Sequence, residues 1–173
     1  TSLKSCKETA GAKSAEEIRQ LSGYPNRERI EDGPVAAIEC PERIPCNVCT
    51  AVCPVGAISI EGDIINSPTL DQDKCIGCRL CVSRCPGLAI FVLEKKLQEG
   101  VILLSLPYEF LPLPQVNDVM LGLDRSGEIL TEVEVVEVNR SDIYDRTTVL
   151  TVAVPDDYLH EVRGVLKKGE KNE

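Results

Sequence analysis

A duplicated cysteine pattern constrains this chain more than any other feature. Sliding the sequence by 32 residues superimposes Cys46 on Cys78, Cys49 on Cys81, Cys53 on Cys85 and Pro54 on Pro86. Ala57 and Ile58 then fall on Ala89 and Ile90. A tandem duplication of a cysteine turn followed by a short apolar strand accounts for all six matches. The copies differ at their first cysteine. The second copy opens with Cys75, whose counterpart by offset is Arg43, and the nearest cysteine upstream of Arg43 is Cys40.

The second copy reads C-x2-C-x2-C-x3-C-P, the spacing that holds a cubane [4Fe–4S] cluster. Three thiolates two residues apart wrap one tight loop around a cube, while the fourth, followed by proline, is carried away from that loop to a twin site. Gly77 fits such a loop, because a residue without Cβ takes φ > 0 at little cost. Zinc sites use pairs of C-x2-C knuckles converging on one ion, and seven cysteines in two longer runs do not follow that plan. Residues from about 40 to 92 therefore resemble a two-cluster bacterial-type ferredoxin domain. The resemblance implies two [4Fe–4S] clusters with crossed ligation. Cys75, Cys78, Cys81 and Cys53 would hold one cluster, and Cys46, Cys49 and Cys85 the other together with a fourth ligand.

That fourth ligand is where the chain departs from the family pattern, with C-x5-C in place of C-x2-C. Three readings stand side by side. Cys40 closes the site and the PERIP segment is a widened loop; the site holds a three-iron cluster; or Cys6 supplies the ligand. Cys40 is preferred, because short loops close most easily, Pro41 and Pro45 stiffen this one, and VAAIEC reads as a strand delivering the cysteine. The wide loop also alters hydrogen bonding and exposure on one side only, so the two clusters are expected to differ in potential.

Outside the cysteine core, residues 1–39 form a lead-in. Ser14-Ala15-Glu16-Glu17 is a capping box that predicts a helix over 15–22, with Gly23 as its C-cap. This segment either packs on the chain's own core or grips a partner subunit. Cys6 belongs to no motif. Residues 97–173 lack cysteine and are rich in β-branched residues, with turn signals at DRSG (Asp124 to Gly127) and NRSD (Asn139 to Asp142). Strands are expected near 101–106, 118–124, 128–138 and 147–154. A change of phase between Val135 and Val136 marks a β-bulge, and Leu150, Val152 and Val154 share one face. A closing helix is expected from Pro155, with Tyr158, Leu159, Val162, Val165 and Leu166 as its apolar stripe. The fold class is thus α+β: a dicluster domain over 40–96, an N-terminal helical extension, and a small antiparallel β domain ending in a helix.

Composition narrows the function. The chain has 173 residues, 28 acidic against 19 basic, a net charge of −9 and only 3% aromatics without Trp. Such a surface repels phosphate backbones and anionic lipid, and it offers few platforms for stacking bases. No apolar run reaches membrane-spanning length and no secretory signal is evident, so a cytoplasmic location is expected, where thiols serve as metal ligands more often than as disulfides. No dinucleotide or P-loop fingerprint occurs, and His160, the sole histidine, reads as a surface residue on the closing helix. No catalytic site is evident.

The expected role is that of an electron-transfer subunit, with residues 97–173 serving assembly rather than chemistry. By similarity to ferredoxin-like subunits of multisubunit flavin-dependent oxidoreductases of anaerobes, including amine and amino-acid dehydrogenases, the partner would be a catalytic flavoprotein subunit, with room for further redox subunits. A free-standing ferredoxin and an iron–sulfur sensor or structural module are the alternatives.

Overall fold

The computed structural model describes residues 13–96 and 100–169; Cys6 lies outside them. The elements run α1 (Ala15–Arg19), α2 (Arg27–Glu31), β1 (Val35–Ile38), α3 (Val48–Val52), β2 (Ile58–Ser59), β3 (Thr69–Leu70), α4 (Leu80–Arg84), β4 (Ile90–Lys95), β5 (Val101–Tyr108), β6 (Val119–Leu123), β7 (Ile129–Asn139), β8 (Thr148–Pro155) and β9 (Gly164–Lys167). Two short 3-10 turns, Asp142–Tyr144 and Asp156–Tyr158, flank β8. No described helix is long and apolar enough to cross a membrane.

Seven strands form one antiparallel sheet in the order β1-β4-β5-β8-β7-β6-β9, and β2 pairs with β3 in a small ribbon. The sheet runs without a break from the cysteine-bearing half of the chain into the C-terminal half. Val92 registers with Ala36 on one side and with Ser105 on the other. One apolar core underlies both halves: Val82 and Cys81 of α4 share it with Ile90, Leu93, Ile102, Leu104 and Val152. β1 is buried along its whole length, as a strand with apolar contacts on both faces must be.

The C-terminal strands follow the alternation in the sequence. Leu150, Val152 and Val154 are all buried. The register of β7 against β8 slips between Val135 and Glu137, so Val136 is the extra residue of a bulge where the alternation changes phase. The turn at Asp124 is closed by the Gly127 amide donating to the Asp124 carbonyl at 3.1 Å, with the Asp124 carboxylate accepting from the Ser126 and Glu128 amides.

Helix expectations need correction at both ends. The capping box at Ser14 and Glu17 is formed, but α1 stops at Arg19 with Gln20 as its C-cap. Gly23 does not cap it. A Cβ at Gly23 would lie 2.8 Å from the Ile38 Cβ, so glycine there permits the loop to cross β1 closely. The lead-in packs on the chain's own core through Ile18 and Ile30. The closing helix is absent. Residues 156–158 form a 3-10 turn and residues 164–167 become β9, paired with β6. Leu159, Val162 and Val165 are buried as their spacing requires, but they arrive from a turn and a strand. Gly164 weakens a helix by about 1 kcal/mol, whereas the unpaired edge of β6 offers a ladder of hydrogen bonds that a helix would leave unmade.

His160 is half-buried and lies on no helix. Its Nδ1 lies 2.9 Å from the Tyr24 hydroxyl, which also accepts from Arg163 Nη2 at 2.8 Å. Burial, then the nearby Arg19, Arg163, Arg27 and Arg125, bring its pKa down from 6.5 to about 4. A neutral ring in the folded state means the unfolded chain takes up the proton first as pH falls. The associated stability is fully present above about 6.5 and is lost progressively as pH falls from 6.5 through 4. Thermal midpoints of the wild type should therefore decline across that window more steeply than those of His160→Gln. Parallel profiles would refute the assignment.

Candidate metal centres

Each copy of the duplicated motif builds the same local structure. Cys49 sits in the first turn of α3 and Cys53 is its C-cap; Cys81 and Cys85 occupy the same places on α4. Both caps turn to extended backbone, with φ and ψ of −73° and 111° at Cys53 and −69° and 113° at Cys85, as a residue before proline prefers. Each helix thus carries one cysteine in its first turn and another about 6 Å farther along the axis at its C-cap, where the backbone has left the helix. The amide four residues beyond each cap returns to the cap sulfur. Ala57 N–H donates to Cys53 Sγ at 3.2 Å and Ala89 N–H to Cys85 Sγ at 3.4 Å. These two contacts are the structural content of the matched alanines in the repeat.

Crossing of the two copies produces two cavities. Cys40, Cys46, Cys49 and Cys85 line one together with Ile44 and Val48. Cys53, Cys75, Cys78 and Cys81 line the other together with Val55 and Ile76. All eight are free thiols. The structure thus brings Cys40 to the first cavity with the C-terminal cysteine of the opposite copy, while Arg43, at the offset position, is exposed. The four exposed aliphatic side chains form apolar rims that limit water at the sulfurs.

The second cavity is framed by groups distant in sequence. Gly77 has a φ of 62°, and a Cβ there would lie 2.4 Å from the Pro34 Cβ, so the loop passes directly over the entrance to β1. Arg79 is also left-handed, with a φ of 66°. Ala36 N–H of β1 donates to Cys75 Sγ at 3.4 Å. Arg29 donates to the carbonyls of Gln72, Gly33, Pro34 and Cys75 at 2.8, 3.1, 3.3 and 2.7 Å, holding the Cys75 loop against the start of β1. The C-terminal strands contribute as well. The Tyr144 hydroxyl donates to the Cys78 carbonyl at 3.3 Å, and Arg79 pairs with Glu137 at 2.7 Å. Sequence reasoning missed Arg29, Tyr144 and Glu137, since nothing local marks a contact spanning 46 to 66 residues.

The chemistry of the donor sets agrees with an iron–sulfur group. Burial, then repulsion from Cys75, Cys78 and Cys53, pushes the Cys81 thiol up to about 12. Burial and then Cys85 push Cys49 up to about 11, and burial followed by Cys85 and Cys46 raises Cys40. Four thiolates cannot share such a cavity unless cationic iron compensates their charge. A cube, whose corners spread its ligands apart, suits this arrangement.

Comparison with known proteins agrees. Residues 39–89 match the 4Fe-4S dicluster domain family. An uncharacterized ferredoxin of Methanocaldococcus jannaschii is 31% identical over 74 residues, covering 43% of this chain and 44% of the relative. A selenate reductase subunit from Mesobacillus selenatarsenatis is 53% identical over 38 residues, 22% of this chain and 12% of the relative. A probable iron-sulfur subunit of the Frd operon from Proteus vulgaris is 53% identical over 38 residues, 22% of each chain. The chain therefore spans less than half the length of these curated relatives. No solved structure matches it. Residues 39–89 are a 4Fe-4S dicluster domain of the ferredoxin type, and the cofactors are two [4Fe–4S] clusters.

Proposed function

We propose that this chain is an electron-relay subunit of a multisubunit oxidoreductase. In this reading Cys40, Cys46, Cys49 and Cys85 hold one cluster and Cys53, Cys75, Cys78 and Cys81 the other. The observation that carries it is the sharing of each helix between two cavities, with Cys49 and Cys53 on α3, and Cys81 and Cys85 on α4, lining opposite ones. When bound, each cluster accepts and releases single electrons at low potential, as all-cysteine ligation favours. The chain's own residues would hold the two centres toward opposite ends of α3 and α4, donate amides to the cysteine sulfurs and screen them with aliphatic rims.

Several features favour a subunit over a freely diffusing carrier. The relatives from Mesobacillus and Proteus are both named as subunits. Phe110 and Leu111 are 66% and 83% exposed on a segment held by Pro107, Pro112 and Pro114, a rigid apolar projection of the kind that anchors interfaces. The chain's acidity favours a basic partner surface. By the same resemblance that introduced the family, the partner is a catalytic flavoprotein whose substrate is an amine or amino acid, and the complex is cytoplasmic.

Two measurements test the reading together. Anaerobically isolated protein should carry close to eight irons and eight sulfides per chain, as two cubanes require. Cys40→Ala should lose one cluster or convert it to a three-iron form while the other stays intact, and Cys6→Ala should leave the spectrum unchanged. Zinc without sulfide would overturn the cluster assignment. Two intact cubanes in the Cys40 variant would overturn the ligand set. Native purification should also bring down a flavin-containing subunit that oxidises or reduces the clusters; a chain that runs alone yet serves several enzymes would favour the free carrier.

A further inference from the structure

We infer that the buried Glu39–Arg125–Arg163 ion cluster sets the reduction potential of the iron–sulfur cluster at Cys40, Cys46, Cys49 and Cys85, independently of the second cluster. The inference rests on the cluster assignment above. Glu39 is the residue before Cys40, and its side chain is only 6% exposed. Its carboxylate accepts a bidentate pair from Arg125, with Nε and Nη2 each at 2.7 Å, and a third bond from Arg163 Nε at 2.5 Å. Arg163 is 3% exposed and Arg125 14%. Arg163 is fixed further by the Leu159 and Val162 carbonyls and the Tyr24 hydroxyl, and its guanidinium lies 5.3 Å from the centroid of the Phe91 ring.

Glu39 reaches both ends of the first cavity. Through the chain it adjoins Cys40. Through its backbone amide it donates to the Ala89 carbonyl at 2.8 Å, and the Ala89 amide in turn donates to Cys85 Sγ. The ion cluster also borders a cleft of about 490 Å³ floored by Pro41, Gly87, Leu88 and Ala89, the segments that carry Cys40 and Cys85. Among the described residues, none that lines the second cavity belongs to this cleft or bonds to the trio.

Charge gives the direction. One carboxylate and two guanidiniums sum to +1, a local excess within a chain of net charge −9. Buried charge is screened far less than surface charge. Reduction adds one electron, supplied by the reductant, and one unit of negative charge to the iron–sulfur cluster, with no bond made or broken in the chain. A fixed positive excess nearby favours that reduced form. Both arginines come from the C-terminal half of the chain, Arg125 from the β6–β7 turn and Arg163 from the segment entering β9. That half would thereby participate in the redox chemistry that sequence reasoning reserved for residues 40–96.

An anaerobic redox titration of the full chain, loaded with iron and sulfide and followed by EPR, tests the inference. Cys40→Ala identifies which signal belongs to the first cluster. Arg125→Gln, which removes the excess charge, should lower that midpoint and leave the other where it is. Arg125→Lys, which keeps the charge, should leave that midpoint close to the wild-type value. Glu39→Gln raises the excess to +2 and should move the same midpoint upward. If Glu39→Gln does not assemble, the two Arg125 variants decide alone. Shifts of opposite sign confined to one cluster distinguish an electrostatic role from loosened packing. An unchanged first midpoint in Arg125→Gln, or equal movement of both midpoints, overturns the inference while leaving the relay reading intact. A wild type without two four-iron signals would overturn both.

Discussion

A chain ending at residue 99 should fail to hold two iron–sulfur clusters, despite retaining all eight cysteines of the two cavities. β4 is an interior strand of the sheet, paired with β1 on one side and β5 on the other. Removal of residues 100–173 strips Leu93 and Val92 of their partners Leu104 and Ser105. It also removes Ile102, Leu104 and Leu106, all buried in the core. At about 1.5–3 kcal/mol for each large aliphatic side chain, these three alone contribute roughly 5–9 kcal/mol, comparable to the whole stability of a domain, about 5–15 kcal/mol. The α4 face loses Tyr144 from the Cys78 carbonyl, Glu137 from Arg79, Asp145 from Arg84, and the bond from Thr147 Oγ1 to the Ser83 carbonyl. The expected result is a fragment with well under eight irons after anaerobic reconstitution, the Cys53, Cys75, Cys78 and Cys81 site failing first. The expectation that residues 97–173 serve assembly rather than chemistry implies the opposite outcome, an intact pair of clusters lacking only a partner. A fragment with eight irons and an unchanged spectrum would vindicate that view and show the sheet continuity to be energetically unimportant.

The second large effect is expected at Gly77. A left-handed alanine costs about 1–2 kcal/mol by itself. Here the added Cβ also meets Pro34 at 2.4 Å, with the Pro34 carbonyl carbon and oxygen at 2.9 Å. The carbonyl atoms are backbone at the head of β1 and the Cβ belongs to the proline ring, so none of them can rotate away. Relief must come from moving the Cys75 loop, which breaks the bond from Ala36 N–H to Cys75 Sγ and the Arg29 contacts that hold it. Gly77→Ala should therefore lose about half of the iron, with the Cys40, Cys46, Cys49 and Cys85 site retained. Gly56→Ala is the control. Gly56 has the same φ of 62° but nothing within 4 Å of its Cβ position, and its counterpart in the repeat, Leu88, adopts a φ of 51° with a full side chain. Equal iron loss in both variants would mean that backbone strain, and not the contact with Pro34, governs the loop.

Much of the candidate site was legible because its determinants are local. The cysteine spacings, the prolines after Cys53 and Cys85 and the paired alanines act within one turn of chain, so the 32-residue repeat carries them directly. The strands of the C-terminal half were legible for the same reason, through alternation of period two, and even the bulge at Val136 appears as a local break of phase. The closing helix was misread because Leu159, Val162 and Val165 satisfy helical spacing equally well. The vacant edge of β6, more than 40 residues upstream, made the choice.

The sequence by itself determined what chemistry the chain can perform: eight thiols in duplicated turns, each turn short enough to specify its own geometry. Only the tertiary structure decided how that chemistry is held and adjusted. Cys40 reaches its cavity because β1, buried on both faces, lies between β4 and the crossing loop at Gly23. Glu39, Arg125 and Arg163 meet across 86 and 124 residues of chain. Ion pairs and strand edges of this kind leave no periodic trace in a sequence, since a charged residue destined for a buried pair looks the same as one destined for solvent until the fold places its partner beside it.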